Sequence, residues 1–479
     1  LSPQQAFGGG IANSVFSPIA LAIVLIAGIL LLVLPGRKGI VPFFLAAILI
    51  PYDQVLVIGS FHFPMIRVMA VFGFLRVGLA KVLRREKIFS GGMNGIDKAM
   101  IVLGVFCLID GVLLWQAWGE FIFQMGTLIT RFGLYFVLRH LIRDEVDIKR
   151  TLRVWVCVVL VVAAIMTSER LTGRNPVTTL LGGAHSQYHE TVDVRNGSMR
   201  ATGVFDHAIL AGTFGGISLP LFVGLWWKDE KYRVFTALGI GASATIPLLA
   251  SSSTAMMGFI AGLIGLSFWG LRRKMRTIRW IIVGLIVVDE LRFKSHFWHI
   301  IADVDLTGSS SSWHRYMLVD ECYKHFFDWA LVGTKDFATW GWEMVDLSNQ
   351  YVATADSSGL IPLLSFVAII VFGYKYLGRA RRAADTAGDS KQELFIWALA
   401  SSLFANTIAF VGISYFDQTC VAWYAILALI SAATLSFWRK ELQDPAVAIA
   451  KPGFMVTSSP ARSQILNPQS RKMSVTRFR

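Results

Sequence analysis

Long apolar runs separated by short polar connections organise this chain from end to end. A helix needs roughly 20 apolar residues to cross the hydrocarbon of a bilayer, and in lipid each backbone N–H must be satisfied within the chain, so such runs become helices. Thirteen runs are candidates, near residues 18–34, 40–50, 65–83, 99–117, 121–138, 152–167, 207–227, 234–250, 254–271, 280–291, 358–377, 394–412 and 420–438. The second and tenth are short. The pattern predicts an all-α polytopic membrane protein of about 12–13 transmembrane helices.

The connections alternate in charge. One set carries Arg37 and Lys38; Lys81, Arg84, Arg85 and Lys87; Arg143, Lys149 and Arg150; Lys228, Lys231 and Arg233; Arg272, Arg273, Lys274 and Arg276; and Arg379, Arg381 and Arg382. The other set, at 51–64, 118–120, 251–253 and 413–419, has neither Lys nor Arg. Basic loops stay in the cytoplasm during insertion, so the first set is expected inside, and the second set and the N-terminus outside. With no basic residue in 1–17, the first run is expected to be a retained helix, not a signal peptide.

Two expected outer connections are long: 168–206, and 289–357, which is too polar to cross. The expected organisation is therefore N-terminal transmembrane helices over 1–288, a large outer loop over 289–357, and C-terminal transmembrane helices over 358–438. A basic, disordered cytoplasmic tail follows over 439–479.

Composition agrees: 54% of the 479 residues are hydrophobic and 16% charged, with a mean hydropathy of +0.57. A formal charge of +14 would suggest nucleic acid in a soluble protein, but here it is distributed by topology, and no nucleic-acid partner is expected. Cys107, Cys157 and Cys420 lie in apolar runs and Cys322 in a polar stretch, without the spacing of a zinc site or a disulfide framework.

Soluble catalytic signatures are absent: there is no P-loop, no HExxH and no GxSxG. The informative residues are arginines in the expected outer connections. Arg200 opens Arg200-Ala-Thr-Gly-Val-Phe-Asp-His207, just before the seventh run, and Arg315 lies in Ser311-Ser312-Trp313-His314-Arg315-Tyr316. A planar guanidinium binds diphosphate oxygens bidentately, which a point-charge lysine does not. The bland alternative is snorkelling to ordinary lipid headgroups.

The order of features resembles the O-antigen ligase and O-antigen polymerase superfamily of bacterial membrane glycosyltransferases. The matching segments are Arg200 to Phe205 (Arg-x-x-Gly-x-Phe), Ser251 to Thr254 at a helix start, and Arg315 in the large loop. Leu331-Val332-Gly333, Ser348-Asn349-Gln350-Tyr351-Val352 and Gly359-Leu360 follow. The resemblance covers roughly residues 195–380, and beyond them only a helix count. It implies a GT-C-type architecture in the bacterial inner membrane and a polyprenyl-diphosphate-linked glycan as donor. It also implies an acceptor glycan or lipid, contact with membrane lipids, diphosphate binding by Arg200 and Arg315, and loop-motif roles for Asn349 and Tyr351.

The family's histidine, thought to accept the acceptor's proton, corresponds to Ser348, which is no base near neutral pH. Asp346, His314 and His207 are the substitutes in reach. Asp303-Val304-Asp305 has a metal-binding spacing, but the resembling ligases need no metal, so no cofactor is expected. Nothing in the residues separates polymerase from ligase; the missing histidine favours a polymerase. A transporter of small anions and a catalytically silent homologue are the alternatives.

Asp110 and Arg131 fall within the fourth and fifth runs, nine residues before and twelve after Gly119. Equal depth near the bilayer middle is expected, with the two forming a salt bridge.

Overall fold

The computed structural model describes residues 15–58, 61–182, 194–195, 198–292, 296–303, 311–341, 344 and 346–435. The expected tail at 439–479 lies outside them. All thirteen apolar runs are helical: α1 (Pro18–Val33), α2 (Ile40–Leu49), α3 (Met65–Arg84), α4 (Gly95–Trp115), α5 (Trp118–Thr127) continued through a π-helical turn (Leu128–Phe132) into α6 (Gly133–Leu141), and α7 (Glu145–Thr172). After a short α8 (Pro176–Leu181) come α9 (Ala208–Lys228), α10 (Arg233–Ala250) and α11 (Ser253–Ser267). A 3-10 turn (Phe268–Lys274) leads to α12 (Met275–Arg292).

Among the described residues, seven spans are long and apolar enough to cross a membrane: Gly95–Trp115, Trp118–Leu141, Glu145–Thr172, Ala208–Lys228, Glu230–Ala250, Ser253–Arg292 and Leu360–Thr386. The chain is an all-α, multi-pass membrane protein. Among the shorter helices, α2 has ten residues, about 15 Å, or half of a hydrocarbon layer. It ends in an antiparallel hairpin of β1 (Val55–Ile58) and β2 (Phe61–Pro64), in register Val55↔Pro64.

Burial separates the centre from the rim. Helix α9 is apolar all round and almost wholly buried, as a helix at the middle of a bundle must be. Close approach there requires Gly212: a Cβ on it would lie 2.5 Å from Ala255 Cβ and 2.8 Å from Ala250 Cβ. Helix α12 is apolar over 280–288 between charged ends but has no buried residue, and Trp280, Leu285 and Leu291 are exposed. Such a face is stable against lipid and not against water.

The expected outer connection at 289–357 contains short helices: α13 (Ile300–Asp303), α14 (Ser311–Lys324), α15 (Phe326–Trp329) and α16 (Gln350–Ser358). Leu318, Cys322, Trp329, Phe337, Met344, Val352 and Ala355 form a core of their own beneath them. Three helices complete the bundle: α17 (Leu360–Thr386), α18 (Ser390–Ala409) and α19 (Thr419–Ala433).

The rim holding the basic connections is laced with ion pairs. Arg37 meets Asp144 (2.6 Å) and Asp147 (2.5 Å), Arg143 meets Glu86 (3.1 Å), and Arg153 meets Asp229 (2.5 Å). Glu393 takes both Arg272 (2.9 Å) and Arg381 (3.0 Å). Deeper, fully buried Arg139 pairs with Asp97 at 3.4 Å, which also accepts from Tyr135. A cavity of ≈ 500 Å³ at this rim is lined by Arg37, Glu86, Ser90, Arg143 and Asp144, charges that already satisfy one another.

Candidate functional site

At the opposite rim the resembling motifs come together around the turn between α10 and α11. Arg200 follows the short strand β4 (Ser198–Met199), which pairs with β3 (Val194–Arg195). The Ala201 N–H donates to the Leu249 carbonyl (3.2 Å) and Arg200 Nε to the Ala250 carbonyl (3.4 Å). The segment after it is held by Glu169 of α7, whose carboxylate accepts from the N–H of Thr202 (3.1 Å) and of Gly203 (2.8 Å). Gly203 has φ +65°, and a Cβ there would meet Met166 Cγ at 2.8 Å, so conformation and space both require glycine.

Arg315 reaches the same turn from α14. Its Nη2 donates to Thr254 Oγ1 (2.7 Å) and Ser253 Oγ (3.4 Å). Thr254 Oγ1 in turn donates to the Gly412 carbonyl (3.2 Å), tying α11 to the end of α18. Arg200 and Arg315 are both buried and converge on residues 250–254. Ser251 there has φ +47°, an unusual backbone for a residue other than glycine.

The loop motifs turn out to be positioning devices. Gly333 and Gly359 (φ +88° and +83°) allow two turns to interlock: the Thr334 N–H donates to the Asp356 carbonyl and the Leu360 N–H to the Ala330 carbonyl, both at 2.9 Å. Asn349 caps α16, its Oδ1 accepting from the N–H of Tyr351 (2.9 Å) and Val352 (3.1 Å) while its Nδ2 donates to the Val411 carbonyl (3.2 Å). The Tyr351 hydroxyl donates to the Thr407 carbonyl (3.1 Å), and its ring packs on Phe366 and Phe410.

Of the three candidate bases, His314 and Asp346 are brought together beside Arg315. His314 Nε2 lies 3.0 Å from the Asp346 carbonyl. A carbonyl only accepts, so Nε2 carries the proton and Nδ1 is the basic nitrogen. The Asp346 side chain is exposed. His207 is the cap of α9, its Nδ1 accepting the Ile209 N–H at 3.2 Å. Val304 and Asp305 lie outside the described residues, and among those described no three His, Cys, Asp or Glu side chains cluster as a metal site.

Two acids at this rim escape sequence reasoning. Burial pushes the Asp356 carboxyl up to about 7, and its Oδ1 is enclosed without a hydrogen-bond partner among the described residues. Burial, with Asp206 nearby, likewise raises Asp417 to about 7; its Oδ2 accepts from the Asp206 N–H (3.3 Å), while Gln418 beside it donates to the Val204 carbonyl (2.5 Å). Both acids look featureless along the chain, and only the fold encloses Asp356 near Cys322 and sets Asp417 beside Asp206.

The expected salt bridge between Asp110 and Arg131 is not formed. Gly111 of α4 faces Gln124, and Gly104 faces Leu128 and Phe132. Arg131 is therefore level with Gly104, about 9 Å along the axis from Asp110. The π turn adds a residue at this point and turns Arg131 toward Tyr52, Cys107, Cys420 and Tyr424. Nor is Arg131 at the middle of the bundle: the neighbouring Thr130 hydroxyl accepts from Arg67 Nε (2.9 Å), the third residue of α3, and Cys420 is in the first turn of α19. Asp110 keeps a buried Oδ2 with no hydrogen-bond partner among the described residues.

No family model matches the chain, and a search of curated proteins finds none with significant sequence similarity.

Proposed function

We propose that the chain is a membrane glycosyltransferase of surface polysaccharide assembly that takes a glycan from a polyprenyl-diphosphate donor at the outer face of the membrane. The observation that supports this reading is the convergence of Arg200 and Arg315, from segments 115 positions apart in the sequence, on one helix-to-helix turn. Diphosphate is a good leaving group, and paired guanidinium groups stabilise the charge it gains as the bond to the anomeric carbon breaks. An acceptor hydroxyl attacks that carbon from the opposite side, inverting it, and the bonding electrons leave with the diphosphate.

His314 is the residue best arranged to take the hydroxyl proton, because its Nε2–H is committed to the Asp346 carbonyl and its Nδ1 can accept. A growing glycan as acceptor, and so a polymerase, is favoured over a lipid core by the serine at position 348. The test is turnover: the purified protein with a polyprenyl-diphosphate oligosaccharide, scored for chain extension and released lipid diphosphate. Both products are expected from the wild type. Neither product from a folded protein would overturn the reading.

A further inference from the structure

We infer that Arg131 is an oxyanion-binding site for a phosphate-type group, separate from the turn held by Arg200 and Arg315. Its guanidinium makes no hydrogen bond or ion pair among the described residues, although it lies within an apolar span. A charge inside an apolar span is costly, and chains retain one when something compensates it. The protein does so at the other rim, where Arg139, more deeply buried, is paired with Asp97. Arg131 has no such carboxylate: its neighbours are two phenols and two thiols, Tyr52, Tyr424, Cys107 and Cys420.

The surroundings fit an anion arriving from outside the helices. Arg131 is half-buried. The flanking Cys107, Leu108 and Phe121–Met125 are also only half-buried, so the core does not close off this side of α4 and α5. The residue is carried on a π-helical turn, a local insertion frequent at functional sites because it re-aims a side chain at the expense of regular bonding. Its level, near Arg67 and the first turn of α19, brings it close to the headgroup zone where lipid phosphates lie, and the fork of a guanidinium suits two phosphate oxygens. Arg67 is a positioning residue: it bonds Thr130, and a Cβ on Gly126 would meet its Nη2 at 2.7 Å, so it braces the π turn from behind.

The inference rests on the reading above only in the choice of lipid probe. The full-length protein in nanodiscs is titrated with a polyprenyl diphosphate and, separately, with inorganic phosphate, and binding stoichiometry is read by native mass spectrometry. Wild type, Arg131→Gln, Arg131→Lys and the double variant Arg200→Ala/Arg315→Ala are compared. Arg131→Gln is expected to lose one bound probe per chain or at least about tenfold in affinity, with Arg131→Lys between it and wild type. Its ligand-free melting temperature is expected to match or exceed the wild type's, because an uncompensated charge has been removed.

Loss of the lipid probe alone identifies a lipid-borne phosphate, and loss of both probes a site open to free phosphate; either supports the inference. Unchanged binding of both probes by Arg131→Gln overturns it, as does a lower melting temperature with binding intact, which marks a structural cation. Should Arg131→Gln fail to fold, Arg131→Lys, which keeps the charge, decides: wild-type binding by it overturns the inference. The double variant tests the diphosphate reading independently, since its binding can fail or persist whatever Arg131 does.

Discussion

The two rims of this bundle treat arginine in opposite ways. At one, guanidinium groups meet carboxylates: Arg37 with Asp144 and Asp147, Arg143 with Glu86, Arg153 with Asp229, Arg272 and Arg381 with Glu393. At the other, the described bonds of Arg67, Arg200 and Arg315 run to hydroxyl and carbonyl oxygens, and Arg131 has none. A guanidinium neutralised by a carboxylate holds helices together and has little attraction left for an anion. One held by hydroxyl and carbonyl oxygens has its position fixed by groups that an anion does not displace, which suits an anion site.

If that contrast is functional, substitutions at the two rims should differ in kind. The largest effect belongs to the paired rim: Arg139→Gln leaves Asp97 buried and unpaired and should cost about 3–5 kcal/mol of stability, seen as a marked fall in melting temperature. Next, Arg200→Ala and Arg315→Ala should each cut glycan transfer by about 100- to 1,000-fold with far smaller changes in melting temperature. Activity retained in either variant would remove the contrast.

A pH effect sharpens it. Asp356 has its carboxyl raised to about 7 by burial, so the folded state holds this proton more tightly than the unfolded chain does. Its contribution to stability is full below the ordinary carboxylate range and is lost as pH rises through about 7. Asp356→Asn should therefore raise the melting temperature at pH 8 and leave it unchanged at pH 4. The smallest effect is at the cap: Asn349→Ala should cost about 1–2 kcal/mol by freeing the first turn of α16 and its tie to Val411, measured by chemical denaturation.

The helices were legible because each apolar run was long or strongly patterned; even α2 and α12, the least secure along the chain, are helical. Arg200 and Arg315 were legible as candidates because each sits in a motif segment of a long outer connection, Arg200 to Phe205 and Ser311 to Tyr316. What the linear chain concealed was contact across distance. Glu169 looks like the polar end of a helix until it is found holding Thr202 and Gly203, and Asp417 looks like loop until it meets the Asp206 backbone. The Asp110–Arg131 pairing failed for a definable reason: counting outward from Gly119 assumes two regular helices, whereas the contacts of Gly104 and Gly111 set a different register and a π turn adds one residue. The small core within 289–357 was not legible because its helices are short, below what periodicity resolves.

The most direct measurement is equilibrium binding of a polyprenyl diphosphate to the intact protein, with Arg200→Ala/Arg315→Ala set against Arg272→Ala from the paired rim. The account predicts that the first variant loses binding by at least about 100-fold while the second binds as the wild type does. Equal affinities in all three, or a loss confined to Arg272→Ala, would contradict it.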